Sequence, residues 1–265
     1  MKKSIGILGI TLLVVMVMTA CGGTGSGAGG SRNLPPDGDG SINFASRHTF
    51  PVYYWDGSRF NGNRTFPNIQ WYDEATGIDH MRPLSGMLGE PTNVAIEAGT
   101  LSLQLGRSRS AYLMGLSELA SIGLTVTAGL RILIVEEFTT SHSPSHLPTE
   151  YYLAWVRNDG HVSFVYANRS GSISGEFDDG EFVDSLWVRM NWELRPGWNT
   201  VITTWTDSEE ISVTGRPGND FRWVVDNGPP AWWGGPSESY AVTAFSANGV
   251  NRPCGEESAV SRLFR

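Results

Sequence analysis

Lysine is almost missing from this sequence: its only copies are Lys2 and Lys3. Beyond them every basic side chain is arginine, 17 residues against 27 acids, a net charge of −10. An acidic surface of this kind disfavours nucleic acid and anionic lipid surfaces, which both demand a basic footprint. Cysteine is equally scarce. Two copies, Cys21 and Cys254, exclude a disulfide-stapled scaffold. The longest apolar run, residues 5–18, falls short of the ~20 residues a helix needs to cross a bilayer. Helical periodicity is nearly absent, which excludes a parallel α/β fold, because parallel strands need crossover helices.

Catalytic and cofactor motifs are missing too. Residues 171–175 read Gly-Ser-Ile-Ser-Gly, with isoleucine where the serine of a nucleophile elbow would stand. Residues 25–30 carry the glycine spacing of a dinucleotide loop, but no strand precedes them and Pro35-Pro36 follows. His142 and His146 are four apart, yet Pro144 between them forbids the helix that would align both imidazoles on a metal. Asp37-Gly38-Asp39-Gly40-Ser41 opens like a calcium loop, but Ile42 takes the obligatory glycine position and His48 the terminal glutamate. Asp178-Asp179-Gly180-Glu181 reads as an acidic turn. Glu136 and Glu137 are strand neighbours, expected on opposite faces and so a poor acid–base pair. These absences predict no catalytic residue, no metal and no cofactor, and a body that is non-enzymatic.

What is present begins with an export signal. Lys2 and Lys3 form a positive start, and the apolar run has the length of a signal-peptide core. It ends in Met18-Thr19-Ala20-Cys21, small residues before a cysteine. This resembles the lipobox of bacterial envelope lipoproteins, with Met18 where leucine is commonest. The resemblance covers about 21 residues. It implies cleavage after residue 20 and a lipid on the Cys21 thiol, making a membrane the first expected partner. Gly22 in place of aspartate after that cysteine favours an outer membrane in a cell that has two. Residues 22–31 are almost all Gly and Ser, and Pro35-Pro36-Asp37-Gly38-Asp39-Gly40 follows. Such a tether holds a body about 25 Å from its anchor. The expected organisation is a signal peptide at 1–20, a lipidated cysteine and tether at 21–41, and a body at 42–265. A soft break at residues 142–148 divides that body into candidate subdomains 42–140 and 148–265.

The body alternates with a period of two. Leu186, Val188, Met190, Trp192 and Leu194 fall on one face of a run whose other face carries Arg189, Asn191 and Glu193. Arg195-Pro196-Gly197 then turns the chain into a second β-rich run, Trp198 to Thr206, and the pair reads as a long hairpin. Tyr151–Arg157, a turn at Asn158-Asp159-Gly160, and Val162, Phe164 and Tyr166 form another. Leu101, Leu103 and Leu105 alternate, as do Phe221, Trp223 and Val225. Arg131 to Phe138 reads as a central strand. Val52–Trp55 and Ile69–Tyr72 read as edge strands. Ser110 to Ala120 spaces Leu113, Leu116 and Ala120 as a helix would, with Ser108 or Ser110 as its cap. The fold class is all-β, an antiparallel sandwich or barrel-like body with at most one short helix. Leu194 to Val201 resembles a Gly-Trp-Asn hairpin of uncharacterised envelope lipoproteins, which brings no activity with it.

Tryptophan is the unusual feature, with ten copies. Trp155, Trp187, Trp192, Trp198, Trp205 and Trp223 lie in predicted strands, where core packing accounts for most of them. Trp232 and Trp233 stand in a Gly/Pro-rich loop and are the candidate ligand-binding residues, stacking on a glycan or anchoring a protein partner. A loop folded back as a hydrophobic plug is the other reading. The expected function is a lipid-anchored envelope protein that binds or scaffolds, with a carbohydrate-binding module second and an envelope hydrolase third.

Overall fold

The computed structural model describes residues 42–73, 78–116, 119–120, 123–140, 151–179, 186–206 and 209–227. Cys21, Cys254, Trp232, Trp233 and the predicted break at 142–148 lie outside them. No helix of the described residues is long and apolar enough to cross a membrane.

The body is all-β. A small sheet is built from β1 (His48–Tyr53), β2 (Arg64–Thr65), β5 (Asn93–Glu97) and β6 (Thr100–Gln104), in the antiparallel order β2–β5–β6–β1. Leu101 and Leu103 alternate inward along β6, as their spacing predicts. The end of β1 pairs in parallel with β17 (Arg222–Asn227), joining the small sheet to a large one. There β17 lies beside β11 (Tyr151–Arg157), which pairs on its far side with β10 (Glu137–Thr139). β3 (Asn68–Asp73) and β4 (Ile78–Pro83) continue from β10. β11 turns through Asn158 and Asp159 into β12 (Gly160–Ala167), as expected. β12 is flanked by β9 (Arg131–Val135) and β15 (Gly197–Trp205). From β15 the sheet runs on through β16 (Glu209–Thr214), β14 (Leu186–Leu194), β13 (Gly171–Asp179) and the short β8 (Thr125–Val126). β7 (Met114–Gly115) edges β9.

Two cores result. The first lies between the small sheet and β9–β12 with β17, and its centre is aromatic: Phe44, Phe50, Phe138, Trp155, Phe164 and Trp223. The second is aliphatic apart from Phe177 and Trp192, and lies between β9, β12 and β15 and the strands β13 and β14. β12 is the shared wall. Val162 and Phe164 face the first core, Val165 and Ala167 the second.

Four expectations change. Ser110–Ala120 is not an α-helix. It holds a 3-10 turn at Ser110–Tyr112, and Met114–Gly115 then joins β9 as β7. Leu113 and Leu116 are consumed by two different cores, and no cap bond from Ser108 or Ser110 forms. The only α-helix among the described residues is α1 (Leu84–Met87). β14 and β15 are not a hairpin: β16 enters between them, parallel to β14 and antiparallel to β15. β1 and β3 are not edges, since β1 pairs with both β6 and β17, and β3 with both β10 and β4. Asp178 and Asp179 belong to β13 rather than to a turn.

Candidate functional site

The corner between β14 and β15 creates the site. Two strands that would otherwise pair must splay to admit β16, so Arg195-Pro196-Gly197 forms an open corner, with Gly197 already paired to Ala167 of β12. Gly197 makes the turn with φ of 94°, a conformation that disfavours any side chain. Asn199 then satisfies the corner. Its buried side chain accepts from the Arg195 N–H at 2.9 Å and donates to the Arg195 and Gly197 carbonyls, each at 2.9 Å. It also donates to the Val165 carbonyl on β12 at 3.3 Å. A neutral amide that meets both a donor and several acceptors suits this place; a leucine there would strand them all.

Trp198, between those two residues, stands half-buried at the wall of an open cleft of about 650 Å³. Its indole N–H donates to the Gly106 carbonyl at 2.9 Å, which fixes the ring. Tyr166, its register partner on β12, meets it edge-on with centroids 5.3 Å apart. Gly106 belongs to a backbone junction with Gly89 beside the ring. Gly89 N–H donates to the Arg107 carbonyl at 2.8 Å, and the Thr92 hydroxyl donates to the Gly89 carbonyl and accepts from Gly106 N–H. A Cβ on Gly106 would lie 1.7 Å from the Gly89 carbonyl oxygen, so only glycine permits this approach.

The rim is charged. Arg107 and Arg195 line the cleft beside Glu90. Both arginines are exposed, and the Arg107 guanidinium has no partner among the described residues. Asn168, although at the rim, has its amide committed: it accepts from Arg131 N–H at 2.8 Å and donates to the Gly129 carbonyl at 3.3 Å. A second pocket of about 320 Å³ lies in the fork between β14, β16 and β15, lined by Asn191, Glu193 and Thr214 among others. Arg195 lines both hollows.

A polar cluster lies elsewhere, on the side of β12 away from the first core. Val135 and Phe138 both face that core, so the two residues between them, Glu136 and Glu137, turn to the same side. This corrects the expectation of opposite faces: β9 ends at Val135 and β10 begins at Glu137, and the break at Glu136 shifts the alternation by one residue. The Glu136 carboxylate lies 3.7 Å from His161 Nε2 and accepts from the Ser163 hydroxyl at 3.4 Å. His161 and Ser163 both touch the acid instead of each other. A serine nucleophile needs the imidazole on its own hydroxyl, so this arrangement is not a charge-relay triad.

The sequence expectations for binding fell on Trp232 and Trp233, outside the described residues. Trp198 was read as a strand residue suited to the core. Its signal was the corner before it: a tryptophan directly after Pro-Gly sits at a strand's first turn, where a side chain meets a loop as well as a sheet. Comparison with models of protein families, with characterised proteins and with solved structures finds no match.

Proposed function

We propose that this chain is a lipid-anchored protein of the bacterial cell envelope whose body binds a glycan without transforming it. The observation that carries the binding half is the Trp198 cleft. A fixed indole beside a tyrosine ring, with polar groups around an open hollow, suits a sugar: the aromatic face takes the C–H face of a pyranose and the rim takes its hydroxyls. The anchoring half rests on Met18-Thr19-Ala20-Cys21 and the Gly/Ser tether that follows. Ile42, the first described residue, lines the same cleft, so the tether joins the body beside the proposed site. An outer membrane is the proposed location in a cell with two.

Two measurements test these halves separately. Cells fed a labelled fatty acid should incorporate it into the wild-type chain, and Cys21→Ser should abolish the label and release the protein from membranes. A labelled Cys21→Ser protein rules out the anchor at that residue. For the body, full-length protein in detergent micelles is applied to an array of envelope and host glycans. Binding that Trp198→Ala removes supports the cleft; an unchanged array in that variant moves the site elsewhere. A second reading, a scaffold that grips a protein partner, is favoured by Trp187, which is 47% exposed on the outer face of β14. Cross-linking in intact cells through that position would decide for it.

A further inference from the structure

We propose that Trp232 and Trp233 close the face of β11 and β17 that turns away from the first core, the chain reversing at Gly228-Pro229-Pro230 and lying back across the sheet. This stands apart from the glycan reading and takes the two residues out of ligand binding.

The buried side chains give the first reason. Leu153, Trp155, Trp223 and Val225 face the first core. Ala154, Val156 and Val224 alternate with them and turn the other way, yet they too are only 3–4% exposed. Tyr152 shares their face, as do Glu137 and Thr139 on β10, and all three are buried. β11 is therefore covered on both sides. Trp55 packs on the apolar three. It follows the end of β1, however, and β1 flanks β17 on the side away from β11. β10 lies two strands beyond β17, about 10 Å across the sheet. One ring at the near flank leaves the width of the face to another cover.

The chain that leaves β17 gives the second. Asn227 ends the strand opposite Tyr151, and Gly228-Pro229-Pro230 follows at once. Proline has no N–H to extend a ladder, and glycine accepts the conformations of a turn. Trp233 stands as far past that turn as Val224 stands before the end of β17, about 10 Å in each direction. A reversed chain thus brings the two level. Indoles bury more apolar area than most side chains, which suits a face spanning three strands. The neighbouring stretch does not offer it: residues 141–150, between β10 and β11, have Leu147 as their one large apolar side chain. Residues 228–265 carry Trp232, Trp233, Tyr240, Phe245, Leu263 and Phe264.

The test uses the full-length protein in non-ionic detergent micelles, with the photoreactive residue benzoylphenylalanine in place of Trp233. Irradiation followed by peptide mass spectrometry should link that position to Ala154 or Val156 of the same chain. A link to Tyr166 or Trp198 at the cleft, a link to a second chain, or no link in the folded protein overturns the proposal. Hydrogen exchange then checks the native side chains. In full-length Trp232→Ser/Trp233→Ser the amides of β11 should exchange at least tenfold faster than in wild type. Unchanged exchange there overturns the proposal. So does a double variant that loses binding on the glycan array while β11 keeps its protection, an outcome that returns both residues to ligand binding. Should the double variant fail to fold, the cross-link decides.

Discussion

The two cores share β12 but solve burial differently. The first stacks rings: Trp223 lies nearly parallel to Trp155 and Phe164, with centroids 5.4 and 5.7 Å away and interplanar angles of 13° and 14°. Its Trp223 indole N–H is buried with no hydrogen-bond partner among the described residues. The second core surrounds one indole with aliphatic side chains and satisfies it: Trp192 Nε1 donates to the Ser212 hydroxyl at 2.9 Å, and Ser212 lies 3.1 Å from the Thr203 hydroxyl. Ring area holds the first core even against an unpaired donor. The second couples its packing to a short polar chain across β14, β16 and β15. The lesson is that one residue type is tolerant in one core and specified in the other.

The largest expected effect breaks the first core outright. Phe164 meets Phe44, Phe138, Trp155 and Trp223. Phe164→Ala should cost about 3–5 kcal/mol by chemical denaturation, because a cavity opens where four rings converged. A loss under about 1 kcal/mol would mean that those rings close the gap.

The sharpest comparison is Trp→Phe in each core. Trp192→Phe removes packing and also the bond to Ser212, whereas Trp223→Phe removes packing and relieves a buried unpaired donor. The first should be the more destabilising by about 1–2 kcal/mol. Ser212→Ala, which strands the Trp192 N–H, should approach the Trp192→Phe loss. Equal losses for the two Trp→Phe variants would end the distinction between the cores.

A smaller gain is expected at the edge of the first core. The hairpin of β5 and β6 turns through Ala98 and Gly99, and Ala98 holds φ of 46°, which alanine tolerates poorly. Ala98→Asn should raise stability by about 0.5–1 kcal/mol, seen as a higher denaturation midpoint. An unchanged or lower midpoint would show that the strain is already relieved by the Ala98 N–H bond to Asn63.

The smallest effect is electrostatic. Arg157 grips Asp159 and Asp220 at 2.5 and 2.6 Å and lies over the ring of Phe221, at the rim of the first core. Burial pushes the Asp220 carboxyl up, but the Arg157 hydrogen bond and charge outweigh it and hold the group below its ordinary value. A carboxyl depressed in the folded state stabilises above its unfolded value of about 3.9 and loses that contribution as pH falls through the folded one. Asp220 is 53% exposed, so Asp220→Asn should cost under about 1 kcal/mol at neutral pH. The difference from wild type should shrink as pH falls through the folded value of Asp220, where both side chains become neutral. A difference that persists there would assign the loss to packing.

Much of the fold was legible because a strand's alternation is local. The inward faces of β6, β14 and β17 follow from Leu101, Val188 and Trp223 and their neighbours, and the β11–β12 turn from Asn158 and Asp159. Which strands pair was not legible. Arg195-Pro196-Gly197 signals a reversal equally well whether its strands join or part, and nothing local says that residues 209–214 will enter between them. The cleft depends on that insertion, so Trp198 could be read only as one more strand tryptophan. Glu136 and Glu137 mislead for the same reason, since a strand break that shifts the alternation leaves no mark in the residues beside it.

By itself, then, the sequence determined an all-β chain with period-two faces, its turns, and an acidic, lysine-free surface behind a lipobox-like start, because these depend on backbone preference and composition alone. Tertiary structure decided the partition into two cores, the face on which Glu136 stands, and the meeting of Trp198, Arg107 and Arg195 around one hollow. Those contacts join residues far apart in the chain, as Phe50 and Trp223 are in the first core and Trp198 and Gly106 are at the cleft, and burial satisfies them only when the sheets have come together.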